Sequence, residues 1–157
     1  MLRIRAFEPN DLPAVVACIV ELQEIERSLD ARLRPGEEIA RPYCEQLLAR
    51  SAAQAGSVLV AELGTAVCGF AAVQARVPYE DLDEPPGDYA LLSDLVVLPA
   101  QRRQGIGRAL LKAAEAFARA QGARELRIGV LTANTAARRL YQSLGFTPHF
   151  ELVAKAL

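Results

Sequence analysis

Residues Arg102-Arg103-Gln104-Gly105-Ile106-Gly107 stand between a β-branched apolar run that stops at Pro99 and an apolar periodic segment. Glycines at a strand-to-helix turn let the backbone come close to a ligand. The first N–H groups of the following helix have no intrahelical acceptor, and the helix dipole favours an anion there. Successive amides in such a turn can form an anion-binding concavity. Arg102, Arg103 and Arg108 add positive charge at the same place. The chemistry suggested is the holding of a phosphate. A dinucleotide-binding fingerprint does not fit, because Leu110 occupies the third glycine position and no acid ends the next strand. A Walker loop does not fit either, since no Gly-Lys-Ser/Thr is present. Taken alone, the turn also reads as a flexible helix start with solvated arginines.

Three further places carry reactive groups. Asp94 interrupts the apolar strand "ALLSDLVVL", and a buried carboxylate needs a partner or a shifted pKa. Tyr141 shares a helical stripe with Ala137, Leu140 and Leu144, the pattern of a core residue. The segment from Tyr79 to Tyr89 holds Glu80, Asp81, Asp83, Glu84 and Asp88 with no basic residue, and such runs are commonly solvated loops. Metal chemistry is not expected: His149 is the single histidine, read as a satisfied structural residue. Cys18, Cys44 and Cys68 lack C-x-x-C spacing and read as reduced, mostly buried thiols.

These groups need elements to position them. The 157 residues predict one domain, spanning 1–157, and 52% hydrophobic residues predict a compact fold. A formal net charge of −1 argues against a nucleic-acid partner. The amino terminus has no apolar leader and no stretch can span a bilayer, so a soluble, cytoplasmic protein with no membrane partner is expected. Leu2 to Phe7 alternates like a strand, and Asn10 and Asp11 precede a helix with Leu12, Val15, Val16, Ile19 and Leu22 at helical period. A second helix is predicted over Glu37 to Ala53, with Ile39, Tyr43, Leu47 and Leu48 inward. "SVLVAEL" and "AVCGFAAVQARV" form a hairpin about Gly64 and Thr65, followed by the strand "ALLSDLVVL". A strongly amphipathic helix runs from Gly105 to a stop at Gly122, then come the strand "ARELRIGVL" and a short helix from Asn134 to Gly145. "FTPHFELVAKAL" reads as one kinked strand or two short ones, broken at Pro148. The order β-α-α-β-β-β-α-β-α-β predicts a mixed α/β (α+β) domain.

The segment "SDLVVLPAQRRQGIGRALL" resembles the central motif of the GNAT superfamily of N-acetyltransferases, Arg/Gln-x-x-Gly-x-Gly/Ala. "NTAARRLYQSLGF" resembles the next motif of that family, an asparagine followed by a helix bearing a tyrosine and ending in Gly-Phe. The resemblance implies a mixed, mostly antiparallel six- or seven-stranded sheet flanked by about four helices. It implies acetyl-CoA as co-substrate and no metal. Leu95, Val96 and Val97 would pair with the pantetheine arm. Arg102, Arg103, Gln104, Gly105, Ile106, Gly107 and Arg108 would hold the pyrophosphate. Asn134 would contact the arm, and Tyr141 would serve as general acid.

The implied reaction is transfer of acetyl to a primary amine by direct attack, with a small-molecule or peptide acceptor. A lysine-type amine arrives protonated, with a pKa of about 10.4, so a base or water relay must take its proton. Some polyamine-acetylating relatives carry Glu-Asp where this chain has Ser93-Asp94, and Ser93 cannot act as their proposed base. Asp94 remains open as base, water-holding residue or structural acid. The loop before the Asp94 strand often borders the acceptor site in this family, which makes Glu80, Asp81, Asp83 and Glu84 candidates for attracting a cationic acceptor. Acetylation of a protein amino terminus or lysine is the alternative of the same class. A non-catalytic acyl-CoA-sensing module is the alternative of another class, since fold does not fix activity. Relatives are often homodimers.

Overall fold

The computed structural model describes all of residues 1–157. In chain order the elements are β1 (Leu2–Ala6), α1 (Leu12–Leu29), α2 (Gly36–Ala53), β2 (Ser57–Leu63), β3 (Ala66–Pro78), β4 (Asp88–Val97), α3 (Ile106–Ala120), β5 (Leu126–Ile128) and α4 (Thr135–Ser143). The strands form one sheet in the order β1-β2-β3-β4-β5, antiparallel throughout except for the parallel pair β4–β5. The parallel pair requires a crossover, which α3 supplies.

Both faces of the sheet are covered, as its nearly continuous apolar strands demand. On one face, Val15, Cys18 and Ile19 of α1 and Ala40, Cys44 and Leu47 of α2 pack against Val60, Phe70, Ala72 and Val96. On the other, Ile106, Leu110, Leu111, Ala114 and Ala118 of α3 and Tyr141 of α4 pack against Leu59, Ala71, Val73 and Leu92. The buried line of α2 passes through Ala40, Cys44, Leu47 and Ser51, with Ile39, Tyr43 and Leu48 half-buried at its flanks. The inner face is therefore rotated slightly from the sequence expectation, with Leu47 common to both. The three thiols are free and buried, as expected.

The sheet has five strands, not six or seven. Residues 147–157 carry no regular structure and are exposed throughout, including Phe150, Leu152, Val153 and Leu157. Pro148 has no N–H to give a ladder, and β5 offers only three residues as a template. His149 lies in this segment, exposed rather than satisfied in the interior.

A register change in β4 governs the site. Ala72 pairs with Asp94, but the next β3 residue, Val73, pairs with Leu92. Ser93 is thus an extra residue, a bulge that reverses the side-chain alternation. Leu92 packs on the α3 face, whereas Val96, four residues on, packs on the α1–α2 face.

Arg5 ties the strand edge to the start of α1. Its guanidinium donates to both oxygens of Asp11, at 2.7 and 2.9 Å, and to Glu62 at 2.8 Å. The Arg5 hydrogen bonds hold the Asp11 carboxyl below the usual range, against its partial burial. A depressed carboxylate pKa stabilises the fold above the unfolded-state pKa and loses that contribution as pH falls through the folded value. Urea midpoints should therefore fall as pH drops below about 4, and Asp11→Asn should flatten that slope while lowering stability at neutral pH. An unchanged slope would show that the pair contributes nothing to acid sensitivity.

Candidate active site

After Val97 the chain makes a short turn at Pro99–Gln101 and enters α3 through Arg102–Gly105. Arg103 has φ +64°, an uncommon conformation for a non-glycine residue, and Gly105, the helix N-cap, has φ +79°. Holding Arg103 there costs on the order of 1–3 kcal/mol, strain of a kind that collects at ligand sites. A Cβ added at Gly105 would meet no atom within 4 Å, so the turn is open on that side. Arg102 Nε donates to the Val97 carbonyl at 2.9 Å, and Arg108 donates to Ser143 Oγ at 3.0 Å. Those two side chains brace β4 and α4 against the turn. Arg103 has no such partner and is exposed beside the open amides.

The sheet splits next to this turn. β4 and β5 pair only at Ala90–Leu126, Leu91–Arg127 and Leu92–Ile128. Beyond that point Ser93, Asp94 and Leu95 face Gly129, Val130 and Leu131 across a cleft of about 410 Å³, counting its open mouth. Asn134, Ala137 and Tyr141 close it from α4, and Leu22 and Glu26 from α1. The splay exposes the β4 edge from Ser93 onward, the stretch that contains Leu95, Val96 and Val97. Leu95 lines the cleft, while Val96 is buried against the α1–α2 core.

Asn134 caps α4 by accepting from the Ala137 N–H at 3.1 Å, and it lines the cleft as well. Tyr141 is 9% exposed, and its hydroxyl, with no protein partner, opens onto the cleft. Its pKa is pushed up to about 12, first by burial and then by the charges of Glu26 and Asp94. The phenol is therefore protonated across the physiological range.

Asp94 is 5% exposed. The Tyr43 hydroxyl donates to one of its oxygens at 2.8 Å and the Ser93 hydroxyl to the other at 2.7 Å. Burial raises its pKa, and these hydrogen bonds and the more distant Arg50 oppose the rise. Arg50 also lies over the Tyr43 ring, 5.9 Å from its centroid. The bulge at Ser93 thus carries Asp94 to the α1–α2 face, where α2 meets it with a phenol.

The loop acids are placed elsewhere. Glu84 is paired with Arg127 at 3.4 Å, and Arg127 also binds Glu125 and stacks 4.3 Å from the Tyr89 ring centroid. Glu80, Asp81 and Asp83 are exposed. They lie before the first residue of β4, at the end of that strand opposite the glycine turn, and none lines the cleft.

Two contributors escaped sequence reasoning. Tyr43 read as part of a core stripe. Glu26 has the clearer signal: it follows Ile19 and Leu22 at helical spacing, so a carboxylate continues the buried stripe of α1.

A profile of the Acetyltransferase (GNAT) family matches residues 21–146, and the chain belongs to that family. It is 41% identical over 93 residues to the mycothiol acetyltransferase of Thermobispora bispora, a match covering 59% of this chain and 30% of the relative. It is 36% identical over 104 residues to aminoglycoside N(6')-acetyltransferase type 1 of Klebsiella aerogenes, covering 65% of this chain and 66% of the relative. The chain thus spans under a third of the first relative and about two thirds of the second. The tetramutant of the BH1408 protein from Bacillus halodurans shares the fold, with a TM-score of 0.86 at 22% identity over 99% of both chains. AAC(6')-Iy in complex with the bisubstrate analogue CoA-S-monomethyl-acetylneamine shares it with a TM-score of 0.70 at 22% identity, covering 100% of this chain and 98% of that one. No helix is long and apolar enough to cross a membrane.

A Cβ at Gly107 would lie 3.5 Å from Leu140 and 3.8 Å from Val97, ordinary contact distances, so this glycine packs against side chains of α4 and β4 beside the turn. Gly107→Val should crowd those side chains and weaken binding of added CoA by about 10-fold or more, roughly 1.4 kcal/mol, with an unchanged circular-dichroism spectrum. Unaltered CoA affinity in calorimetry would show that this side of α3 takes no part in holding CoA.

Proposed function

We propose that the protein is an acetyl-CoA-dependent N-acetyltransferase that transfers acetyl directly to a primary amine, with a cationic small molecule as the favoured acceptor. The observation that carries this reading is the partnerless Tyr141 hydroxyl in the cleft where β4 and β5 part, beside an open, arginine-flanked turn of amides. Three features fit acetyl-CoA. The amides of Arg103 to Arg108, with the free Arg103 side chain, suit a diphosphate. The unpaired edge at Leu95, Val96 and Val97 suits an arm bearing amide groups, which adds like a strand. The Asn134 side-chain NH2, left free by its capping role, suits a carbonyl of that arm.

Tyr141 would then stand at the sulfur. A phenol near 12 gives its proton to a thiolate of about 8.5 only uphill. Its hydrogen bond stabilises the developing thiolate, and transfer completes when the phenolate recovers a proton from the attacking nitrogen. Asp94, with both oxygens already accepting hydrogen bonds, acts as a fixed negative charge for an incoming ammonium or its water. Glu80, Asp81 and Asp83, with Glu84 partly neutralised by Arg127, do not border the cleft and would act on a cationic acceptor only by long-range attraction. The aminoglycoside-acetylating relative supports a polycationic acceptor. Three buried reduced thiols suit a cytoplasmic setting.

Tyr141→Phe should lower kcat by about 10²-fold with little change in CoA affinity. CoA binding without free-thiol release on any amine of a panel would instead favour a non-catalytic sensing module. Converting Glu80, Asp81, Asp83 and Glu84 to amides should raise the KM of a dication more than that of a monocation at low salt. The difference should shrink as the screening length falls to about 8 Å at physiological ionic strength. An amide variant that treats both acceptors as the parent does would make the loop a solvated connection.

A further inference from the structure

Glu26 in α1 is a half-buried carboxylate that faces the cleft and makes no side-chain hydrogen bond or ion pair. Asp94 of β4 and Tyr141 of α4 line the same cleft, and no arginine or lysine does. Tyr43 and Arg50 of α2 engage Asp94, not Glu26. Resting on the acetyltransferase reading above, we propose that Glu26 is the general base that deprotonates the acceptor amine, and that Asp94 is its fixed anionic partner.

The division of labour follows from exposure and partners. Asp94 already accepts hydrogen bonds from Tyr43 and Ser93 at 2.8 and 2.7 Å and is 5% exposed, so its carboxylate is held in place and is less open to water than that of Glu26. Glu26 has no hydrogen-bond partner on either oxygen, lines the cleft and is only half-buried, so it can pass a proton to water. Tyr141 is an independent sign of a ligand here: it is nine-tenths buried, and its partnerless hydroxyl faces the same space. Burial, and then the charge of Asp94, raise the Glu26 pKa. A raised pKa makes a carboxylate a stronger base toward the acceptor ammonium.

The proton balance closes. Glu26 takes one proton from the ammonium and releases it to solvent. The free amine attacks the thioester carbonyl, the C–N bond forms and the C–S bond breaks. Tyr141 gives its proton to the thiolate, and the second nitrogen proton restores the phenol. Ammonium plus acetyl-CoA thus yields amide, CoA thiol and one proton.

The test has two readouts. In carboxyl-detected NMR of the ligand-free protein, Glu26 should titrate above an ordinary glutamate, and Asp94→Asn should lower its pKa. In steady-state kinetics, kcat/KM for a cationic amine should fall on the acid side as Glu26 protonates. Asp94→Asn should move that limb to lower pH. Glu26→Gln should lower kcat/KM by about 10²-fold or more and abolish the limb, with CoA affinity unchanged. Glu26→Asp should retain the limb at reduced rate. If Glu26→Gln keeps both the rate and the limb while the parent turns over, Glu26 is not the base and the acetyltransferase reading stands. If the parent binds CoA but acetylates no amine, that reading falls and the role of Glu26 falls with it.

Discussion

The site depends on one local constraint: β4 can neither keep its alternation nor keep its neighbour beyond Leu92. The extra residue Ser93 shifts the register against β3, and β5 stops pairing at Ile128. Either event alone would have a smaller effect. A bulge inside a fully paired strand would re-aim Asp94 but leave no room beside it. A splay without the bulge would open a cleft but would leave position 94 with the side-chain alternation of Ala90 and Leu92, toward α3. Together they open a gap and place a carboxylate at its floor.

The surrounding elements hold that constraint in place. α2 contributes Tyr43, whose hydroxyl bonds Asp94 and so compensates the cost of burying a carboxylate. α4 is anchored by the Asn134 cap at one end and by the Arg108–Ser143 contact at the other, which fixes Tyr141 over the cleft. Arg102 holds the Val97 carbonyl where β4 runs into the turn. The polar contacts near the cleft thus brace the break in the sheet, and the two apolar layers supply the bulk of the packing around it.

Much of this was legible in the sequence, for identifiable reasons. The hairpin β2–β3 followed from two β-rich runs about Gly64, and α3 from its stripe and Gly122. The turn at Arg102–Gly107 followed from glycine spacing, and its left-handed Gly105 bears out that choice. Three things did not follow. The bulge at Ser93 leaves no compositional mark, because Ser93 and Asp94 read as one polar interruption of a strand. Glu26 continues an apolar stripe as a charged residue, and the cleft that it lines exists only once β4 and β5 part in the folded sheet. The segment 147–157 has the alternation of a strand, but alternation needs a neighbour with free N–H and C=O groups, and the three-residue β5 supplies too few.

The proposed chemistry also explains the near-neutral charge of a protein with two charged ligands. Arg102, Arg103 and Arg108 lie at the carboxyl end of β4, and Glu26 and Asp94 meet at the cleft on the α1–α2 side. An anionic diphosphate and a cationic amine would then approach from regions of opposite sign and meet at the break in the sheet. A chain with a large net charge of either sign would attract one of them at the expense of the other. With both signs local, each ligand is attracted within about one screening length of its own region. Burial raises the pKa of Asp94, burial and then the charge of Asp94 raise that of Glu26, and burial and then both carboxylates raise that of Tyr141, so ionising this cluster opposes stability. On the proposed reading, a cationic acceptor would relieve the repulsion within this cluster on binding, so the tension that raises the Glu26 pKa would also favour the acceptor.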